Sequence, residues 1–157
     1  MKQNSWFDPF YIFENLSEED KIIQQNVRNF SETVLKQSVV ENNKNHYFDR
    51  ELYKEFGKLG LLGSTNKSHG GAGASNMAYG LIAYEIEKID SSYRSSISVQ
   101  SSLVIYPISF FGTKEQKDKF LPDLILGNKI GCFGLTESEA GSDPSSMKTT
   151  YIKHKDG

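Results

Sequence analysis

Cys132-Phe133-Gly134-Leu135-Thr136-Glu137-Ser138-Glu139-Ala140-Gly141-Ser142-Asp143 is the stretch on which the fold turns. Residues 130–136 are β-prone and end in Thr-Glu, and residues 139–146 are rich in turn formers. Such a handover sets backbone donors, the Thr136 hydroxyl and the Ser142 hydroxyl at one strand end. Taken alone, the pattern also suits an ordinary strand-to-loop turn. Residues 147–154 read as a second strand, and Asp156-Gly157 is a favoured hairpin dipeptide whose partner strand would lie further on. A lone two-stranded ribbon is marginal, so the pattern predicts a chain cut within a β region.

Upstream of this stretch the chain reads as helix. Ser17, ahead of Glu18, Glu19 and Asp20, caps a helix over residues 17–36 carrying Ile22, Ile23, Val27, Phe30 and Val34. Residues 42–45 are polar and turn-like. Asp49 then caps a second helix with Leu52, Phe56 and Leu59 on one face, stopped by Gly60, and the two suggest a helical hairpin. Gly70, Gly71 and Gly73 mark a flexible entry to a third, strongly amphipathic helix capped by Ser75. No strand precedes these glycines and no Gly-Lys-Ser/Thr follows, which disfavours a phosphate loop. Asp90 caps a fourth helix that Pro107 should kink or break before Gly112. Thr113 and Gln116 have capping-box spacing for a fifth, ending at Gly127. The fold class expected is therefore α+β: an all-helical domain over residues 1–128, then the incomplete beginning of a β domain over 129–157.

Composition narrows the function. The 157 residues carry 18 Lys and Arg against 20 Asp and Glu, a net charge of −2, which gives no electrostatic footprint for nucleic acid. The lone cysteine, Cys132, cannot form an intramolecular disulfide, and beside Phe133 in a strand it is expected to be a small core residue rather than a nucleophile. His46, His69 and His154 are scattered at no metal-ligand spacing and near no nucleophile motif. The apolar runs fall far short of the roughly 20 residues that span a bilayer. The first 20 residues have no basic start followed by an apolar run, so a cytoplasmic protein is expected, or a mitochondrial-matrix one if a leader has been processed away.

Residues 91–102 hold seven serines together with Arg94 and Gln100. Hydroxyls bonding back to carbonyls one turn earlier would account for them. Equally, a small polar helix face leaves room for a ligand, and an arginine there is a fixed fork for a carboxylate. Glu87 precedes Arg94 by seven residues, which permits an ion pair or a site where a ligand competes with the glutamate.

Gly-Leu-Thr-Glu, two variable residues and Ala-Gly-Ser-Asp-Pro-Ser-Ser over 134–146 resemble the flavin-binding signature of acyl-CoA dehydrogenases, placed as in that family after an all-helical N-terminal domain. Residues 78–81, 90–95, 98–104 and 132–137 are similar to the glutaryl-CoA dehydrogenase branch, and the resemblance runs from about Trp6 to the end. It implies an FAD enzyme that oxidises glutaryl-CoA, decarboxylates the enoyl intermediate to crotonyl-CoA and passes electrons to electron-transfer flavoprotein, working as a homotetramer. Arg94 would hold the distal carboxylate of the acyl-CoA, with Ser95 beside it and Glu87 as its polar neighbour. That assignment suits the physics, because a charge in an acyl pocket is tolerated only when paired. Phe133, Gly134, Leu135, Thr136, Glu137, Gly141 and Ser142 would line the flavin, Leu135 and Thr136 nearest the ring, with Ser142 also touching the thioester ligand. Ser138 departs from the proline common at that position. The resemblance places the general base beyond residue 157, so Glu87, Glu137 and Glu139 are not read as the base and the chain alone is expected to be inactive. Two alternatives stand beside this reading: a dehydrogenase for another short or branched acyl-CoA, and a truncated, non-catalytic helical binding module.

Overall fold

The computed structural model describes residues 8–154. The Asp156-Gly157 turn and Trp6 lie outside the described residues. The helical elements are α1 (Glu18–Phe30), continued through a π turn (Ser31–Leu35) into α2 (Lys36–Lys44), then α3 (Leu52–Lys58), α4 (Asn76–Glu87) and α5 (Ser91–Ser98). A second π turn (Val99–Ile105) carries α5 into α6 (Tyr106–Phe111), and α7 (Lys114–Ile125) follows.

Four of the five start signals work as the sequence predicts; the exception is Asp49, which accepts the Glu51 N–H in the turn before α3, whose N-cap is Glu51 with no side-chain bond. The side chains of Ser17, Ser75 and Asp90 accept the backbone N–H groups of Asp20, Ala78 and Ser92, and Thr113 with Gln116 closes a reciprocal capping box. The stop signals differ. The first rod does not end at residue 36 but runs to Lys44, because polar residues 42–43 tolerate a solvated helix and neither Gly nor Pro lies between 31 and 44. Pro107 does not break its rod either. Tyr106 N–H reaches back five residues to Ser101, and in that widened turn the proline ring has room against the preceding carbonyls.

The first two predicted helices do not form a hairpin with each other. Instead α1 lies along α4, and their shared direction follows from two polar ties. Asp20, near the start of α1, accepts the hydroxyls of Ser17 at 2.7 Å and of Ser75, the cap of α4, at 2.8 Å. Two turns further on, the buried Glu85 of α4 accepts from Gln24 Nε2 at 2.8 Å and from Arg28 Nε and Nη2 at 3.2 and 2.8 Å. Lys88 Nζ adds a fourth contact at 3.1 Å. α3 meets the first rod through an edge-on contact of Phe56 with Phe30 and buries Leu52, Tyr53 and Phe56. Leu59, expected on that face, is exposed because the helix has ended and Gly60, at φ +69°, turns the chain so that Leu61 and Leu62 enter the core instead. Val27, Leu35, Ile82, Ile86, Ile97, Ile105, Leu121 and Ile125 complete one continuous core. The glycine stretch is tied down: Ala74 N–H bonds Ser64 O, Gly73 N–H bonds Asn66 O, and the His69 ring sits between Ser68 Oγ and Asp118 Oδ1.

Beyond α7 the structure departs from the expected α+β class. Among the described residues, 129–136 and 147–154 form no strand, and the only ladder contact is an antiparallel bridge between Glu137 and Ala140. A strand is held by a partner's ladder and by a packed face. These segments have neither, and Ile130, Phe133, Leu135, Tyr151 and Ile152 stand exposed. Cys132 is exposed for the same reason, not buried as expected.

Two measurements test this account. Gly127 has φ +73°, and a Cβ there would lie 2.0 Å from Tyr53 O, whereas a Cβ on Gly80 in α4 would meet nothing within 4 Å. Urea unfolding of Gly127→Ala should show a loss of ~2 kcal/mol or more, and Gly80→Ala a gain of about 0.5–1 kcal/mol. For Glu85, burial pushes the carboxyl up, but the bonds from Arg28, Gln24 and Lys88 outweigh it and hold the group below the usual carboxylate range. A lowered folded-state value means stability that is present above the unfolded value of ~4.3 and is lost as pH falls through the lower folded one. Glu85→Gln should flatten that acid limb of a urea-midpoint profile between pH 6 and 3; an unchanged slope would show that other carboxylates carry it.

Candidate functional site

The junction of α4 and α5 builds the first half of the site. α4 ends at Glu87 with Lys88 as its C-cap, and two residues on Asp90 caps α5, accepting from the Ser92 backbone N–H and hydroxyl and from Asn43 Nδ2. The chain therefore reverses over a very short distance, and Arg94 in the first turn of α5 comes back over the last turn of α4. Arg94 Nε donates to Glu87 Oε2 at 2.6 Å, and Ser91 Oγ donates to Glu87 Oε1 at 2.7 Å. The ion pair that the seven-residue spacing permits is formed, and it joins two separate helices across the turn. The Arg94 bond first, then the Ser91 bond, holds the Glu87 carboxyl below its ordinary value, so it is ionised at neutral pH.

Beside the pair lies an open groove of about 430 Å³ lined by Gly80, Ala83, Tyr84, Glu87, Lys88 and Arg94. Gly80 and Ala83 leave the space. Tyr84 gives an apolar wall with Lys88 Nζ 4.6 Å from its ring centroid. Ser95 is half-buried one position beyond Arg94, and the ion pair does not include it. On the serine-rich face Ser96 Oγ bonds back to Ser92 O, as expected, and Ser102 Oγ meets Tyr79 OH of α4 at 2.9 Å.

The second half is the stretch after α7. Phe133, Gly134, Leu135 and Thr136 carry no regular secondary structure and are exposed, and among the described residues the main chain of 132–136 makes no hydrogen bond. They offer a row of free N–H donors flanked by apolar side chains. Glu137 is differently employed. Its main chain bridges Ala140, and its carboxylate accepts the backbone N–H groups of Lys148 at 2.8 Å and Thr149 at 3.0 Å. Hydrogen bonding to Thr149 and Lys148 lowers its pKa, so this side chain organises the loop. Gly141 and Ser142 are exposed beyond it. No hydrogen bond or ion pair among the described residues joins the 133–142 group to Arg94 or Glu87.

Sequence reasoning missed Tyr84 and Lys88 as groove walls, since nothing in their spacing distinguishes them from an ordinary helix surface. Among the described residues no cluster of three or more His, Cys, Asp or Glu could hold a metal ion, and no helix is long and apolar enough to cross a membrane.

Residues 17–128 match the model of the acyl-CoA dehydrogenase N-terminal domain. An acyl-CoA dehydrogenase of Bacillus subtilis is 36% identical over 140 residues, covering 88% of this chain and 37% of the relative. Two structures of glutaryl-CoA dehydrogenase from Mycobacterium smegmatis, one of them in complex with FADH2, are 42% and 44% identical at TM-scores of 0.86 and 0.89, covering 89% and 95% of this chain and 36% and 39% of theirs. Butyryl-CoA dehydrogenase from Megasphaera elsdenii is 35% identical at a TM-score of 0.78, covering 86% of this chain and 36% of that one. The chain thus spans well under half the length of the proteins it matches. By the family model and by these identities, it belongs to the acyl-CoA dehydrogenase family, whose N-terminal domain it carries.

Proposed function

We propose that this chain is the substrate-selecting part of an FAD-dependent acyl-CoA dehydrogenase acting on glutaryl-CoA. The observation that carries the reading is the Arg94–Glu87 pair at the mouth of a groove walled by small and apolar residues. Glu87 engages Nε of the guanidinium, which leaves the fork of terminal nitrogens for a second carboxylate. The identity to the Mycobacterium smegmatis enzyme supports the dicarboxylic substrate.

FAD, when bound, supplies the two-electron oxidation of the acyl chain, and electron-transfer flavoprotein is the acceptor implied by the family resemblance. The donor row of 133–136 with exposed Phe133 and Leu135 fits a flat, partly apolar ring with acceptors along one edge. Gly134, Leu135 and Thr136 would hold that edge by backbone N–H groups. Phe133 would cover its apolar part, and Gly141 and Ser142 would close the far side. Glu137 acts on the same region through the loop it holds together.

A second reading has its own support in the Megasphaera elsdenii butyryl-CoA enzyme: the acyl group is short and carries no distal charge, and Arg94 only closes the groove by pairing with Glu87. Kinetics on a protein that joins this chain to the flavin and general base decides between them. Arg94→Gln should lower kcat/KM on glutaryl-CoA by about 10- to 100-fold, with less than about threefold change on butyryl-CoA, and carbon dioxide should appear from glutaryl-CoA in step with oxidation. Equal losses on both substrates would remove Arg94 as the selector and leave the butyryl-type reading.

A further inference from the structure

We propose that Gln100 is a positioning residue: its side-chain amide sets where the 131–136 segment leaves the helical domain, and so registers that segment against the helix that carries Arg94. The inference rests on the flavin-contacting role proposed above for residues 133–136.

Gln100 is fully buried within the second π turn. Its Nε2 donates to Leu124 O and to Lys129 O, both at 2.9 Å, and its Oε1 accepts from Gly131 N–H at 2.9 Å. An amide offers two donors and two acceptor lone pairs. Three of these four capacities are spent on the backbone of one stretch, the end of α7 and the chain just beyond it. A buried amide used in this way fixes position rather than adding apolar packing, and its loss would leave Lys129 O and Gly131 N–H without the partner it gives them, while Leu124 O keeps its bond from Gly127 N–H.

Close approach enforces the same path. A Cβ on Gly131 would lie 2.3 and 2.8 Å from the two γ carbons of Val104, so the chain passes pressed against the π turn at the only residue type that allows it. The segment is thus held up to Gly131, while among the described residues the main chain of 132–136 makes no hydrogen bond. Its direction of exit is decided at the Gln100 anchor. Arg94 stands six residues earlier on the same rod, so one side chain relates the carboxylate-holding arm to the donor row.

The test uses the 157-residue chain with two variants. In Gln100→Leu, exchange of the Gly131 amide should accelerate by about tenfold or more, and the ¹⁵N order parameters of 131–136 should fall, while the Ile82 and Ile86 amides of α4 keep their wild-type rates. Gly131→Ala, which leaves the buried amide intact and pushes the chain off Val104, should lower the same order parameters with the same silence in α4; it also decides the matter if Gln100→Leu fails to fold. Unchanged exchange and order at 131–136 would overturn the proposal. So would acceleration spread equally over Gly131, Ile82 and Ile86, which would make Gln100 a packing residue only. Titration with FAD, followed by flavin emission, separates the two readings. Equal binding by wild type and Gln100→Leu would overturn the positioning role, whereas no binding by wild type would count against the flavin reading, with amide exchange still deciding the anchor.

Discussion

A carboxylate taken out of water must be surrounded by donors, and Glu85 is surrounded by three side chains at once. Gln24 and Arg28 come from α1, and Lys88 comes from the next turn of its own helix. Removing any one partner leaves part of a buried charge unanswered, so the arrangement tolerates little sliding of α1 along α4. Asp20 and Ser75 fix the other end of the same pair. With α4 locked through Glu85, the adjoining face carries Gly80, Ala83 and Tyr84, residues that build a groove rather than a core, and Lys88 belongs to both, bonding Glu85 and lining the groove.

The helical part is closed and the stretch after it is open, for one physical reason. Helices satisfy their own backbone, so each needs only an apolar face and a cap to be at home. An extended segment satisfies nothing by itself. Between Leu124 and Gly131 the helical domain supplies the missing partners through Asp123, Gln100 and the tight passes at Gly127 and Gly131. Past Gly131 that supply ends, and the apolar side chains of Phe133, Leu135 and Tyr151 face outward.

This division also explains what could be read in advance. Ser17, Ser75, Asp90 and Thr113 were legible as caps because the bond each makes lies within two or three residues. The Glu87 and Arg94 pairing was legible across seven residues, although by a turn between helices rather than along one. The tie from Glu85 to Gln24 and Arg28 spans 61 and 57 residues, and the Gln100 anchor spans 24 to 31. No local pattern encodes those distances, so α1 was paired with the wrong neighbour. The strand-like segments differ in kind: their composition is β-prone, but a β propensity becomes a strand only where another strand is present to take the bonds. Cys132 was misplaced along with them.

The charges around the groove set a limit on what Arg94 can select. Among the lining residues Arg94 and Lys88 carry positive charge and Glu87 negative charge, and the buried Glu85 is paired with both Lys88 and Arg28. Both cations of the groove are already paired, Arg94 with Glu87 and Lys88 with Glu85, so long-range attraction for the distal carboxylate proposed above would be weakened. What remains is geometry: a planar fork already held by Glu87 at Nε, aimed by a rigid turn at Asp90, and open enough to water that the extra charge is screened. Selection of this kind acts through matched hydrogen bonds rather than through field. It depends on Glu87 staying in place, since a guanidinium freed from that partner would have lost its orientation before it gained any affinity.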